Sequence, residues 1–272
     1  MTHRQSPIML VDGRGGVRPF DGAVSDRRVL RLICFSHAGG LSSVFYPWAR
    51  RLPRAVEVGV VQLPGRGARI AEAPFKDVRS VVAEVAPVLR AYGNASFVLF
   101  GHSMGALLAF ELARALKSSD VRPRALIVSG ARAPHVTVRE TALHRLPDAA
   151  LVTEMAERYN RVPASLLNDA EALELFLPPL RADLELLETY AHQPGEPLDC
   201  PLFAFGGATD AEVSGGDLLR WREQTRQAFR AQLFPGGHFY LYERPNFFFE
   251  ALGIELRALA EAMATDTRDC QR

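Results

Sequence analysis

Apolar residues along this chain fall into short runs cut off by glycine, proline or polar turns. Residues 30–35 form one such run, ending in Ser36-His37-Ala38-Gly39-Gly40. Residues 56–63 form a second, stopped by Pro64-Gly65, and 96–100, 125–129 and 202–205 form three more. Residues 231–234 make a weaker last one. Runs of four to eight such residues bounded by breakers predict strands, and near-continuous apolar character predicts parallel strands covered on both faces. Between them the period changes. Val78, Val81, Val82, Val85 and Leu89 recur at helical spacing over 77–92, with Asp77 placed to cap the helix and Pro87 expected to kink or shorten it. Residues 104–116 are rich in alanine and leucine and predict a second helix.

From 136 to 190 no strand pattern appears, and Leu143, Leu151, Met155, Leu173, Phe176 and Leu184 supply the apolar positions of helices. Strands alternating with helices predict an α/β fold with a mostly parallel central sheet and helices on both faces. An all-helical insertion in such a sheet is how a lid over an active site is built. The expected organisation is therefore a loose N-terminal lead-in over 1–28, a core over 29–135 and 191–265, a helical lid over 136–190 and a tail over 266–272.

Composition narrows the field. The chain has 272 residues, 48% of them apolar and 23% charged, enough for a substantial core. Its 32 basic and 31 acidic residues nearly cancel, so the concentrated basic excess of a nucleic-acid-binding protein is missing. No apolar run approaches membrane-spanning length, and the N-terminus lacks the order of a signal peptide. Cys34, Cys200 and Cys270 share no metal-ligand spacing. Cytoplasmic location without a metal is the expectation. All but two of the basic residues are arginine, a bias that fits a GC-rich genome and carries no mechanism.

The sharpest chemical signal is Gly101-His102-Ser103-Met104-Gly105, between a predicted strand and a predicted helix. That is the context of a nucleophile elbow, a turn so tight that side chains at 101 and 105 would collide with neighbouring chain. It would lift the Ser103 hydroxyl above the sheet. A plain strand–helix glycine turn is the bland alternative. A serine needs a base to take its proton, and this fold orders the partners serine, acid, histidine. His238, after Pro235-Gly236-Gly237 at the end of the last strand, is the chosen base. His135, His144 and His192 fall in or beside the lid and read as solvated, and His102 reads as a packing or hydrogen-bonding neighbour. Asp210, just beyond the carboxyl end of the 202–205 strand, is the chosen acid, with Glu212 as fallback. Asp199 precedes its strand, and Asp183 and Glu185 on a lid helix read as solvated charges. The developing oxyanion needs donors: the backbone N–H of Met104 and, from the glycine loop, that of Ala38.

At these residues the chain resembles the type II thioesterases of polyketide and non-ribosomal peptide synthesis, members of the α/β-hydrolase superfamily. The resemblance is carried by Cys34–Gly40, Leu63-Pro64-Gly65-Arg66, the elbow, Ser129-Gly130 with Arg132-Ala133-Pro134, Leu177-Pro178-Pro179-Leu180-Arg181-Ala182-Asp183, and Gly236-Gly237-His238-Phe239. It implies Ser103 as nucleophile, Asp210 as acid and His238 as base, the same three residues that the motif and chain order select. It also implies hydrolysis of acyl groups from the phosphopantetheine arm of carrier proteins, under a helical lid and with no diffusible cofactor. Two positions depart from the pattern. Ser36 stands where proline is common, and Tyr159-Asn160 where many members have paired glycines. Arg132, Arg139 and Arg145 read singly as solvated charges and together as a candidate docking patch for an acidic carrier protein. A monomer is expected, since no exposed apolar seam is visible. The alternatives are a medium-chain fatty acyl-carrier thioesterase, a general carboxylesterase and, from another class, a non-catalytic acyl-carrier binding module.

Overall fold

In the computed structural model, which describes residues 6–12, 14, 16–20, 29–91, 96–136, 142–159 and 169–269, the apolar runs lie side by side in one eight-stranded sheet. In chain order the strands are β1 (Ile8–Val11), β2 (Val17–Pro19), β3 (Leu30–Phe35), β4 (Val56–Val61), β5 (Phe97–His102), β6 (Ala125–Ser129), β7 (Leu202–Gly207) and β8 (Phe229–Phe234). Their spatial order is β2-β1-β4-β3-β5-β6-β7-β8, with β4 through β8 all parallel and β1 antiparallel to both its neighbours. Every residue of β3, β5, β6 and β7 is buried, which is why these strands lack polar alternation. β8 lies at an edge, exposes much of its length, and starts two residues earlier than its apolar pattern indicates.

Alternation along β5 separates two cores. Phe97 and Leu99 face α1 (Val78–Ala91) and α2 (Met104–Leu116). Val98 and Phe100 face the 3₁₀ segment Ser42–Arg50 and the last long helix, through Trp48, Phe248 and Leu252. Asp77 caps α1 as expected, accepting the Ser80 N–H at 2.8 Å. Pro87 does not shorten α1, which runs on to Ala91. Position 87 lies on the exposed face of the helix.

The lead-in expected to be loose contributes two strands. Ile8, Leu10 and Phe20 are buried, and β1 pairs with β4 from Ile8↔Val61 to Val11↔Val58. Four apolar residues among glycines are too few to show a period, yet they cover an otherwise open edge of β4. The remainder of the lead-in, 1–5, 13, 15 and 21–28, lies outside the described residues, as do 160–168 of the expected lid and 270–272 of the tail.

Among the described residues of the insertion between β6 and β7 are the α-helices α3 (Asp148–Tyr159) and α4 (Ala170–Glu188). Asp169 caps α4 by accepting the Ala172 N–H. Leu143, Leu151, Leu177, Leu180 and Leu184 make a third small core, with Ala38 of the β3 loop packed against it. The chain leaves β3 toward β4 and returns past it to β5, so the sheet's topological switch lies between β3 and β5. Crevices for ligands form at the carboxyl ends of strands at such a switch, which puts the Ser36–Gly40 loop beside the elbow.

Candidate active site

Ser103 stands at φ 55°, ψ −119°, the only non-glycine residue with positive φ among the described residues. Such backbone costs roughly 1–3 kcal/mol and persists only where its surroundings impose it. Here the imposition is visible. A Cβ at Gly101 would come within 1.9 Å of the Gly105 carbonyl oxygen, and one at Gly105 within 2.2 Å of that of Phe35. Both glycines are therefore required by backbone-to-backbone contact. The Ser103 N–H donates to the Ser129 carbonyl at 2.8 Å, and α2 begins at the next residue, Met104. The first N–H groups of a helix have no intrahelical acceptor, which leaves the Met104 N–H available at the turn.

Asp210 and His238 come from the loops after β7 and β8, and the structure brings them together. The Ala208 N–H donates to the Phe234 carbonyl and the Thr209 N–H to that of Gly236. A Cβ at Gly207 would lie 2.0 Å from the Gly237 carbonyl oxygen, so the two loops touch backbone to backbone. His238 Nδ1 then sits 2.8 Å from Asp210 Oδ2. The second oxygen, Oδ1, accepts the N–H groups of Glu212 (2.9 Å) and Val213 (3.2 Å), so Glu212 supports the acid rather than replacing it. The Asp210 side chain has no exposure. Burial pushes its pKa up, but the hydrogen bond and charge of His238 and the two backbone donors hold it below the ordinary carboxylate value. An ionised carboxylate only accepts, so Nδ1 carries the proton and Nε2 is left as the basic nitrogen.

His102 backs the site. Its ring centroid lies 5.1 Å from that of His238, and its Nδ1 is hydrogen-bonded to Ser129 Oγ at 2.9 Å. Ser129 Oγ meets the buried Tyr240 hydroxyl at 2.6 Å, and burial pushes the Tyr240 pKa up. The packing and hydrogen-bonding role expected for His102 is what it has. Gly130, at φ 55°, closes this corner, for a Cβ there would press on the His102 ring at 2.7 Å.

The other candidates lie elsewhere. His135 is bonded to Gln224, His144 pairs with Glu188, and His192 contacts the Tyr190 hydroxyl. These histidines, expected to be solvated, are each engaged with a neighbouring side chain. Asp199 lies near Lys117 and Arg122, and Glu185 near Lys76. Arg132 lies 4.0 Å from Asp217, and Arg145 donates to His144, while Arg139 and Asn160 are outside the described residues.

Asp183 is the clear correction. Expected as a solvated charge on a lid helix, it is buried and paired with Arg66, Nη1 to Oδ2 at 2.6 Å and Nη2 to Oδ1 at 2.7 Å. Its Oδ2 also accepts the Gly39 N–H at 2.8 Å. α4 turns this residue inward onto the Ser36–Gly40 loop, which helical periodicity within the insertion alone does not disclose. The available signal was that Arg66 and Asp183 are opposite charges in two of the most particular motifs, each without another role.

Among the described residues no group of three or more His, Cys, Asp or Glu side chains is arranged to hold a metal ion, and no helix is long and apolar enough to cross a membrane. A cavity of about 910 Å³ lies between α1, α2 and the end of α4, and neither Ser103, Asp210 nor His238 lines it.

Residues 30–253 match the family model described as a thioesterase domain. The chain is 40% identical to the gramicidin S biosynthesis protein GrsT of Aneurinibacillus migulanus over 235 residues, covering 86% of this chain and 91% of the relative. Among solved structures it superimposes on RedJ, a thioesterase from the prodiginine pathway of Streptomyces coelicolor, with a TM-score of 0.77 and 40% identity, covering 83% of this chain and 90% of the other. BorB, a type II thioesterase from the borrelidin cluster, gives 0.75 and 37%, with coverage of 84% and 92%.

Proposed function

The chain belongs to the thioesterase family, a hydrolase of thioesters on the α/β-hydrolase fold, and from that premise we propose that it is a type II editing enzyme releasing acyl groups from the phosphopantetheine arm of carrier proteins through Ser103, His238 and Asp210. The observation that carries this reading is the Asp210–His238 hydrogen bond beside a strained Ser103 elbow.

The course is acyl transfer in two halves. Nε2 of His238 takes the Ser103 proton while Oγ attacks the thioester carbonyl carbon. Asp210 holds the ring and stabilises the imidazolium. The N–H groups of Met104 and Ala38 receive the oxyanion, in a site where such donors are worth more than in water. The carbon–sulfur bond breaks, and the pantetheine thiol leaves with the proton from His238. Water then gives a proton to the same nitrogen as it attacks the acyl carbon, the carbon–Oγ bond breaks, and His238 returns that proton to Oγ, freeing the carboxylic acid and Ser103. The balance needs neither metal nor redox partner, so none is proposed.

Two features support Ala38 as the loop donor. The Gly40 N–H donates to the His37 carbonyl at 2.9 Å, and the Gly39 N–H is taken by Asp183, so the two N–H groups that follow Ala38 are already engaged. Leu180, Phe176 and Met155 pack in one apolar cluster with Ala38, so the loop donor is seated on the insertion. The partner is an acyl or peptidyl carrier protein, met in the cytoplasm by a monomer, and Arg132 and Arg145 are the described candidates for docking it. Alanine at both should raise KM for carrier-bound acyl about threefold or more while leaving small thioesters unaffected, if they share contacts with carrier carboxylates or phosphate. Unchanged KM removes that surface from the account. Mass spectrometry of protein quenched during turnover tests the chemistry: an acyl adduct on Ser103 is expected, and an adduct elsewhere contradicts the assignment.

A further inference from the structure

The Asp183 carboxylate receives three hydrogen bonds, two from the Arg66 guanidinium and one from the Gly39 N–H, across 117 and 144 residues of chain. Both charged side chains are buried, 7% and 2% exposed. Stability alone is a weak reason for such a pair, because removing two charges from water is costly and apolar side chains of similar volume often serve as well or better. What an apolar pair lacks is an acceptor for the Gly39 N–H. That group belongs to the loop that must present an oxyanion donor.

We propose that Arg66 and Asp183 are positioning residues through which lid helix α4 sets the direction of the Ala38 N–H. The backbone supplies the reasoning. In a trans peptide the C=O and N–H point opposite ways, so the bond from the Gly40 N–H to the His37 carbonyl turns the Ala38 N–H, in the same peptide plane, outward from the turn. The next plane, Ala38 to Gly39, is held by the Gly39 N–H on Asp183. Ala38 thus lies between two fixed planes, one fixed by the loop and one by a helix outside the sheet. Arg66 holds the carboxylate in place by a two-pronged bond and also lies 3.5 Å from the Gly40 carbonyl oxygen. Gly39, at φ 72°, has Phe176 and Leu180 of α4 so close that a Cβ would come within 3.2 Å of both. The seating of α4 and the aim of the oxyanion donor are therefore one state.

This inference rests on the thioesterase reading, and the experiment separates the two. Asp183→Asn and the double variant R66M/D183L are compared with the wild type. Three quantities are read: thermal midpoint, kcat and KM on a carrier-bound acyl thioester, and the rate at which a fluorophosphonate phosphonylates Ser103. In that labelling the Ser103 oxygen–phosphorus bond forms and fluoride leaves, and it needs the elbow and the oxyanion donors but no natural substrate. Both variants should lose about 10- to 100-fold in kcat and in labelling rate with KM within about threefold, because a mis-aimed donor fails in the transition state. R66M/D183L should do so with a midpoint near that of the wild type, since it leaves no buried charge unpaired. Recovery of both midpoint and kcat in the double variant overturns the proposal and leaves the pair a packing feature. A raised KM at unchanged kcat also overturns it, placing Asp183 in substrate binding. Wild-type labelling without thioester turnover sinks the thioesterase reading, while the labelling rates of the variants still decide this one.

Discussion

Asp210 reaches His238 across 28 residues, from loops that leave adjacent strands of one sheet, whereas Asp183 reaches Arg66 across 117, from a helix outside the sheet. Both carboxylates are buried, and both accept backbone N–H groups besides their cationic or imidazole partner. They differ in what holds them. Parallel pairing of β7 with β8 places Asp210 opposite its histidine, so that contact follows from the sheet itself. The Asp183 contact exists only once the insertion has folded down on the β3 loop. The Asp210–His238 contact is assembled by the sheet alone, whereas the Ser36–Gly40 loop is tied to a helix of the insertion. Removing one triad member should therefore abolish chemistry in an otherwise intact protein, whereas disturbing the clamp should weaken chemistry through geometry.

The largest expected effect is Ser103→Ala, which should lower kcat by roughly 10⁴-fold or more, since the members of a triad act as a unit. Steady-state hydrolysis with a folded-state check by circular dichroism reads it. Next is Asp210→Asn, expected to cost about 10³- to 10⁴-fold in kcat by releasing the histidine from its working tautomer. Asp210 also carries a signature in stability. Its folded pKa is depressed, so between the folded and unfolded values the unfolded chain binds the extra proton and stability rises with pH. Its contribution is complete above the ordinary Asp value of about 3.9 and is lost as pH falls through the lower folded value. Thermal midpoints measured from pH 2 to 6 should thus fall less steeply on the acid side in Asp210→Asn than in the wild type.

Gly105→Ala sharpens the comparison from the backbone side. With a Cβ 2.2 Å from a carbonyl oxygen, it should destabilise by about 3 kcal/mol or more, readable as a lowered urea midpoint. The smallest effect separates strain from chemistry. Ser103→Gly and Ser103→Ala should be equally inactive, yet the glycine variant should be more stable by about 1 kcal/mol, because it relieves the positive-φ residue. Equal stability would mean that the elbow stores no strain.

The same contrast explains what could be read from the chain beforehand. The six parallel strands, α1, α2 and the elbow were legible because apolar runs and glycine spacing are local signals. Asp210 and His238 followed from chain order at strand ends, and the structure puts their side chains in contact. Ile8–Val11 was missed because four residues show no period, and only pairing with β4 makes them a strand. Pro87 was expected to kink or shorten α1; the helix runs through it to Ala91, since one exposed proline does not end an amphipathic helix whose other face is buried. Asp183 was misjudged for the deepest reason: its burial depends on where a whole insertion lands. The motifs containing Arg66 and Asp183 were visible, but their meeting at Gly39 was not.

The most direct test of the account is turnover of acyl groups on a phosphopantetheinylated carrier protein against the same acyls as simple oxygen esters, with wild type and Ser103→Ala in parallel. Faster release from the carrier, abolished in the variant, is the expected result. Equal turnover by Ser103→Ala would contradict the triad assignment, and preference for the oxygen ester would contradict the editing role.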